Sequence, residues 1–345
     1  KALKLKPFLS GAKIFHAKGS SNVVDPLRKP NGLLETLLAP IGSIKDKLLM
    51  LKLKLILKGK TVEEIFDAKE QSTMSFLMDY GFSEKMINNF FIPFLGGIFL
   101  EKELTTSSRV FNFVFKMFGE GDALLPQDGI QAIPNQLAQS LTQEELFLNA
   151  KVIDIAPNKV TLANGESHQS DVILIATDEL NIPSFNVKPK ANYRKVLNIY
   201  FKSGQKPFHE ALIGLVAKPN CLVNNVAVLD NVCPSYSVGN SFLISISIID
   251  YIIDVYLDEN IKKIKDELSF WFNVDDWEYV EHYEIKYALP NQESVSYQPN
   301  PQDFVIQQNI QKMDENMGDV TKENNEEVQH NDPNNIDDQD TQNNI

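Results

Sequence analysis

Apolar residues are spaced in two different ways along this chain. Up to about residue 140 they recur at helical intervals between capping residues. Beyond it they fall in short runs broken by Gly, Pro and Asn. Before the first helices, 12–17 is strand-like, Gly19-Ser20-Ser21 is a turn signal, and Pro26 and Pro30 exclude a continuing helix. Asn31 is placed to cap a helix over 32–39 that Pro40 stops, and Ser43 to cap a longer one over 44–58 closed by Gly59. Thr61 caps a turn over 62–66, 71–80 is amphipathic, and Tyr80-Gly81-Phe82-Ser83 joins a C-cap glycine to the next N-cap. A helix over 86–91 then delivers the stretch 90–141. That stretch reads as an aromatic, Pro/Gly-broken turn, a helix, a Gly-rich bend, Leu124-Leu125-Pro126 and a second helix.

The second half has the pattern of sheets. Residues 146–148, 152–155 and 159–162 are short β-runs, and Ala163-Asn164-Gly165-Glu166 is a hairpin turn. The continuous apolar run 171–177 predicts a strand buried on both faces, ending in small residues as a strand does where a ligand approaches. Strands over 195–201, 211–216, 223–229 and 242–249 predict an antiparallel sheet. An amphipathic helix over 258–272 and a strand over 279–289 complete it. From about Pro299 the chain is rich in Asn, Gln, Asp and Glu. It cannot bury enough apolar area to offset its ordering entropy, so 298–345 is expected to be disordered.

Composition changes this picture mainly through charge. The chain has 345 residues, 43% of them hydrophobic, enough for a sizeable core, and a net charge of −13. Residues 301–345 hold eleven acids and two lysines, so the acidity belongs mostly to the tail. The first 60 residues hold twelve Lys and one Arg against three acids. They are read either as solvated helix faces or as an approach to an anionic lipid or ligand. The helix Ile44–Lys58 sharpens that choice. Its wide apolar face with Lys borders suits a helix lying on a membrane surface, and equally one packed on two sides with snorkelling Lys stems. Cys221 and Cys233 form no CxxC pattern, and no apolar run reaches transmembrane length. The expected location is cytoplasmic, with peripheral membrane contact through Ile44–Lys58 as the added reading. The chain opens on Lys1 in what reads as mid-strand or turn, so a natural start upstream is expected.

No complete catalytic motif stands out: there is no GxGxxG, GxSxG, HExxH or P-loop, and the five His are scattered. Acid pairs such as Glu63-Glu64 and Glu144-Glu145 read as solvated, and no aromatic-basic module supports nucleic-acid binding. What stands out is a set of spaced pieces in order: Phe91-Ile92-Pro93-Phe94-Leu95-Gly96-Gly97-Ile98-Phe99, Leu104-Thr105-Thr106-Ser107-Ser108, and Leu125-Pro126-Gln127-Asp128-Gly129-Ile130 with Ile133-Pro134 and Leu137-Ala138. Together they resemble the flavin amine oxidase superfamily, in the manner of its phytoene-desaturase-like and protoporphyrinogen-oxidase-like branch, over roughly residues 5–297.

The resemblance implies a mixed α/β chain in which a helical-plus-antiparallel-sheet substrate domain is inserted into an incomplete Rossmann-type FAD-binding domain. Residues 1–118 would be the helical part of the substrate domain, 119–184 part of the FAD domain, 185–285 the substrate-domain sheet, and 286–297 a return to the FAD domain. It implies backbone contact of Val152 with the FAD adenine, and close passage of Ala176 and Thr177 along the dinucleotide. Pro93, Phe94 and Phe99 are candidates to line an apolar substrate cavity, against core packing as the alternative. The family's N-terminal Gly-rich βαβ unit and C-terminal Gly-Asp motif have no counterpart here, so a truncated chain that alone binds FAD weakly or not at all is expected. Three functions stay open. One is hydride transfer from an apolar or amine substrate to flavin. The second is a non-catalytic, degenerate member holding an apolar ligand or partner, and the third a flavin-dependent isomerase.

Overall fold

The computed structural model describes residues 2–25, 28–142, 145–156, 158–177, 192–237, 239–250 and 258–297. The tail expected to be disordered, and the start of the expected substrate-domain sheet at 185–191, lie outside these residues. The chain divides into two compact units: Lys1–Phe147 with Pro189–Tyr297, and Leu148–Lys188 with Gln298–Ile345.

The first unit opens with β1 (Leu5–Pro7), β2 (Gly11–His16) and β3 (Gly19–Val24). Helices α1 (Leu33–Leu38), α2 (Ile44–Lys58), α3 (Val62–Phe66), α4 (Thr73–Tyr80), α5 (Glu84–Met86), α6 (Ile92–Phe99) and α7 (Ser108–Glu120) follow, then β4 (Leu124–Pro126) and α8 (Ala132–Ala138). The second unit holds β5 (Val152–Ala156), β6 (Lys159–Leu162) and β7 (Ser167–Gln169). The first resumes with β8 (Tyr193–Ser203), β9 (Ile213–Val216), β10 (Val223–Val228), β11 (Phe242–Ile249), α9 (Asp258–Leu268) and β12 (Glu278–Pro290).

Local chemistry sets the helix starts. The Ser43 hydroxyl accepts from Asp46 N at 3.1 Å while the Asp46 carboxylate accepts from Ser43 N at 2.7 Å, a reciprocal cap that Thr61 and Glu64 repeat for α3. Asp46 is buried, and it also accepts from the amide (2.7 Å) and hydroxyl (2.8 Å) of Ser83, so one carboxylate joins the starts of α2 and α5. Burial works against its charge, but the Ser43 and Ser83 donors outweigh it and hold its pKa below the ordinary value. Gly81 ends α4 at φ 97, in the left-handed region that favours glycine.

Several sequence expectations need correction. The aromatic stretch at Pro93 is not a broken turn. The chain stays helical from α5 through a π-turn over Ile87–Phe91 into α6, with Pro93 in the first turn of α6. The Ile92 amide reaches back five residues to Ile87 O, so the hydrogen-bond ladder widens just before Pro93, whose ring has no N–H to give. The first hairpin turns at Ala17-Lys18, and Gly19-Ser20-Ser21 belongs to β3, because His16 pairs directly with Gly19. Asn31 caps nothing: it lies inside a 3-10 turn, Pro30–Gly32, that the fixed φ of Pro30 starts earlier. Residues 146–148 are loop and turn. The run 171–177 forms no strand, with Val172 76% and Leu174 87% exposed. An apolar run becomes a strand only beside a neighbour, and no described strand pairs with it.

The main sheet has strand order β12-β8-β11-β10-β9-β2-β3. Every pair is antiparallel except β2 with β9. One face carries Leu197, Ile199, Phe201, Val226, Ile244, Ile246 and Ile248, packed in one core with Ile264 and Leu268 of α9 and with Phe272 and Trp277. The other face is shared between a second core and an open area. In that second core Ala12, Ile14 and Leu215 pack with Phe91, Leu95, Phe99 and Phe111. No helix among the described residues is long and apolar enough to cross a membrane.

Candidate functional site

One row of residues crosses six strands of the main sheet on the second face, and its chemistry changes halfway. Ile14 of β2 pairs with Leu215 of β9, Leu215 with Asn225 of β10, Asn225 with Ser247 of β11, Ser247 with Asn198 of β8, and Asn198 with Tyr283 of β12. Ile14 and Leu215 are buried, whereas Asn225, Ser247 and Asn198 are half-buried and Tyr283 is exposed. The adjacent row continues the polar half with Ser245 opposite Tyr200.

Hydrogen bonds pre-orient this half. Asn198 Oδ1 accepts from Ser245 Oγ at 3.2 Å and Ser247 Oγ at 3.1 Å. Among the described residues nothing accepts from its amide NH2. Asn225 donates to Asn224 Oδ1 at 3.0 Å, and Asn224 donates to Pro93 O at 3.3 Å. Tyr200 and Tyr283 meet edge to face at 6.0 Å. The result is a floor of neutral donors and acceptors with aromatic edges.

Helix α6 bounds the floor. It rests on β9, β10 and β11. A Cβ at Gly97 would lie 2.7 Å from Asn224 Oδ1, so only glycine allows this approach without displacing the amide. Past its C-terminus the chain folds around the Glu101 carboxylate, which accepts from the amides and hydroxyls of Thr105 and Thr106 at 2.5–3.1 Å. Arg194 of β8 donates to Glu101 at 2.9 Å and to Thr105 Oγ1 at 2.8 Å. Glu101 is 0% exposed; burial opposes its charge, but the Thr106 and Thr105 donors win and lower its pKa. This pair ties the end of α6 to the sheet.

The residues named from sequence fall in different places. Pro93 is buried and offers its carbonyl to Asn224. Phe99 is 1% exposed inside the helical core. Phe94 is half-buried, stacked on Phe90 at 5.4 Å and edge-on to Phe118 at 5.5 Å. Val152 lies half-buried in β5, paired with Leu162 beside a bulge, while Ala176 and Thr177 are exposed. Among the described residues no glycine-rich turn leads onto a helix N-terminus, so they do not by themselves fit a dinucleotide's pyrophosphate. No group of three or more His, Cys, Asp or Glu among them is arranged to hold a metal ion.

Sequence reading missed the polar row. Its signal was the period-two polar residues within apolar strands, Asn198 between Leu197 and Ile199, and Ser245 and Ser247 among Ile244, Ile246 and Ile248. The Glu101–Arg194 pair spans 93 positions and carries no local signal.

Comparison with known proteins gives the chain a family. Residues 3–210 match the model for flavin containing amine oxidoreductase. No curated protein sequence matches. An oxidoreductase from Methanosarcina mazei has a similar structure at 12% identity, with 86% of this chain and 75% of that one covered and a TM-score of 0.61. A putrescine oxidase is similar at 12% identity, 84% and 73% coverage and TM-score 0.56. The cyclohexylamine oxidase of Brevibacterium oxydans is similar at 13%, 84% and 72% coverage and 0.51. The shared feature is the mixed α/β fold of these enzymes.

Proposed function

The chain belongs to the flavin-containing amine oxidoreductase family, and from that premise we propose that it is the substrate-recognising body of an FAD-dependent oxidoreductase. The observation that carries this is the half-open polar row Asn225–Ser247–Asn198 beside α6. Bound FAD would supply the hydride acceptor, and the protein would supply binding and orientation. The row suits a substrate with an apolar body and a nitrogen-bearing end. The Asn225 Oδ1 and the hydroxyl oxygens of Ser245 and Ser247 can accept from an amine N–H, and the Asn198 NH2 can donate, while the Tyr200–Tyr283 edge offers apolar contact. Asn and Ser neither gain nor lose a proton near neutrality, so their part is to position substrate.

In this reading 119–184 and 286–297 belong with the cofactor domain, Val152, Ala176 and Thr177 contribute to FAD binding, and Pro93, Phe94 and Phe99 shape the wall beside the substrate. The test is binding of putrescine and cyclohexylamine to the purified chain, followed by thermal shift, in wild type and in Asn198→Leu. The amines should raise the melting temperature of the wild type and leave the variant unmoved. No shift in the wild type, or an equal shift in both, overturns the assignment of the row.

A second reading is a family member that holds a ligand or partner without redox chemistry. It is favoured by the lack of a pyrophosphate cradle among the described residues. Titration of the chain with FAD separates the two: flavin bound near one per chain supports the enzyme, and no binding by a chain that still takes the amines supports the second reading.

A further inference from the structure

Part of the wide apolar face of α2 that sequence left between two readings faces outward. Ile44 is 67%, Leu48 61% and Leu55 55% exposed, whereas Leu53 and Leu57 of the same helix are buried. At 100° per residue Ile44, Leu48 and Leu55 fall within one narrow sector. Lys45 and Lys52 flank it on one side and Lys58 on the other, all exposed. The single acid of the helix, Asp46, is 1% exposed and consumed in the cap, so the outer face of α2 is apolar and cationic with no anion on it. Helix α1 adds Leu34 (67%) and Leu38 (74%), and the ammonium of Lys47 in α2 caps the carbonyls of Leu37 and Ala39 at the end of α1, fixing the two helices' junction.

We propose that this face docks on an anionic lipid bilayer, with the leucines entering the interface and the lysines meeting the headgroups. Charge complementarity selects that occupant. A second copy of the chain would bring the same lysine borders against each other, because a two-fold contact pairs a patch with itself. An anionic surface pairs with every one of them, and the apolar stripe adds a term that salt does not screen.

The experiment is co-sedimentation of the full chain with vesicles of phosphatidylcholine alone and of phosphatidylcholine with phosphatidylserine, at low and at high salt. Circular dichroism checks the fold of each variant. Wild type should pellet far more with the anionic vesicles than with the neutral ones. Replacing two of the three exposed lysines together (Lys45→Glu with Lys52→Glu) should lower the partition coefficient roughly ten-fold or more. Leu48→Glu with Leu55→Glu should remove the binding that survives high salt. No pelleting with anionic vesicles at low salt, equal pelleting with neutral ones, or a folded leucine variant that still pellets fully would each overturn the proposal. So would sedimentation velocity showing that α2 pairs two copies of the chain and that the leucine variant is monomeric with vesicle binding intact.

Discussion

The two larger sheets among the described residues treat their apolar residues in opposite ways. In the seven-stranded sheet, Leu197, Ile199 and Phe201 of β8, the strand next to the edge strand β12, are all 0% exposed and pack in one core with α9. In the three-stranded sheet of the second unit only Ile155 (9%) and Leu162 (7%) are buried, and the neighbouring run leaves Val172 and Leu174 in solvent. The difference teaches that apolar content does not make a strand. The first unit contains the partners that its own runs require, and the described residues of the second do not. A run such as 171–177 keeps its driving force unspent, about 25 cal/mol for each Å² of apolar area still in water.

The comparison breaks most sharply at Glu101. If the first unit is a closed structure, Glu101→Ala should cost about 3–5 kcal/mol in urea unfolding, because Arg194 and two threonines lose a buried acceptor. A loss under about 1 kcal/mol would mean that the end of α6 is held otherwise. The same carboxylate gives the comparison a pH axis. Glu101 and Asp46 have lowered pKa values in the fold, from ordinary values of 4.5 and 3.8, and Glu210 beside Lys13 falls to about 2. A group with a depressed folded pKa lends stability that is fully present above its unfolded value and lost as pH falls through the folded one. The melting temperature should therefore change little from neutrality to about pH 5, where only His16, its pKa lowered by burial, gives up stability as it protonates, and then fall steadily towards pH 2. Glu101→Gln should flatten part of that slope.

A core truncation is next in size. Ile246→Ala on β11, 0% exposed beneath α9, should cost about 3 kcal/mol by chemical denaturation. Below it comes Ser43→Ala, about 1–2 kcal/mol, since the Ser43 hydroxyl accepts from Asp46 N and donates to the Asp46 carboxylate. A null result there would put the start of α2 under the control of Ser83 alone.

These sites differ in how far the sequence revealed them, and the reason is range. α2, α3 and β11 have the bounds expected from Ser43 and Gly59, from Thr61, and from the apolar run at 242–249, because each signal lies within a few residues of the element it sets. The helix through Pro93 escaped because proline reads as a breaker wherever its place in a helix is unknown. The polar row escaped because period-two polar positions fix the face of each strand but not its neighbours, and it is the pairing of strands distant in sequence that brings Asn225, Ser247, Asn198 and Tyr283 side by side from four strands. The family resemblance named α6 and its surroundings, and the side chains it singled out there are mostly packed in the core. The groups that face open space sit on strands that it assigned to the substrate-domain sheet without naming any residue on them.

The smallest effect sharpens the comparison from its other side. Leu174 is the most exposed apolar residue of the second unit's described part. If 171–177 is an unpaired run in this chain, Leu174→Ser should change the stability of the first unit by less than about 0.5 kcal/mol. Limited proteolysis should cut within 171–177 well before it cuts β8 or β11, since a backbone without ladder hydrogen bonds opens at almost no cost. A loss of 2 kcal/mol or more, or protection of the run equal to that of β11, would mean that the run is buried against a surface the chain supplies in solution. That outcome would remove the contrast between the two sheets, because the second unit would then satisfy its own apolar runs as the first does.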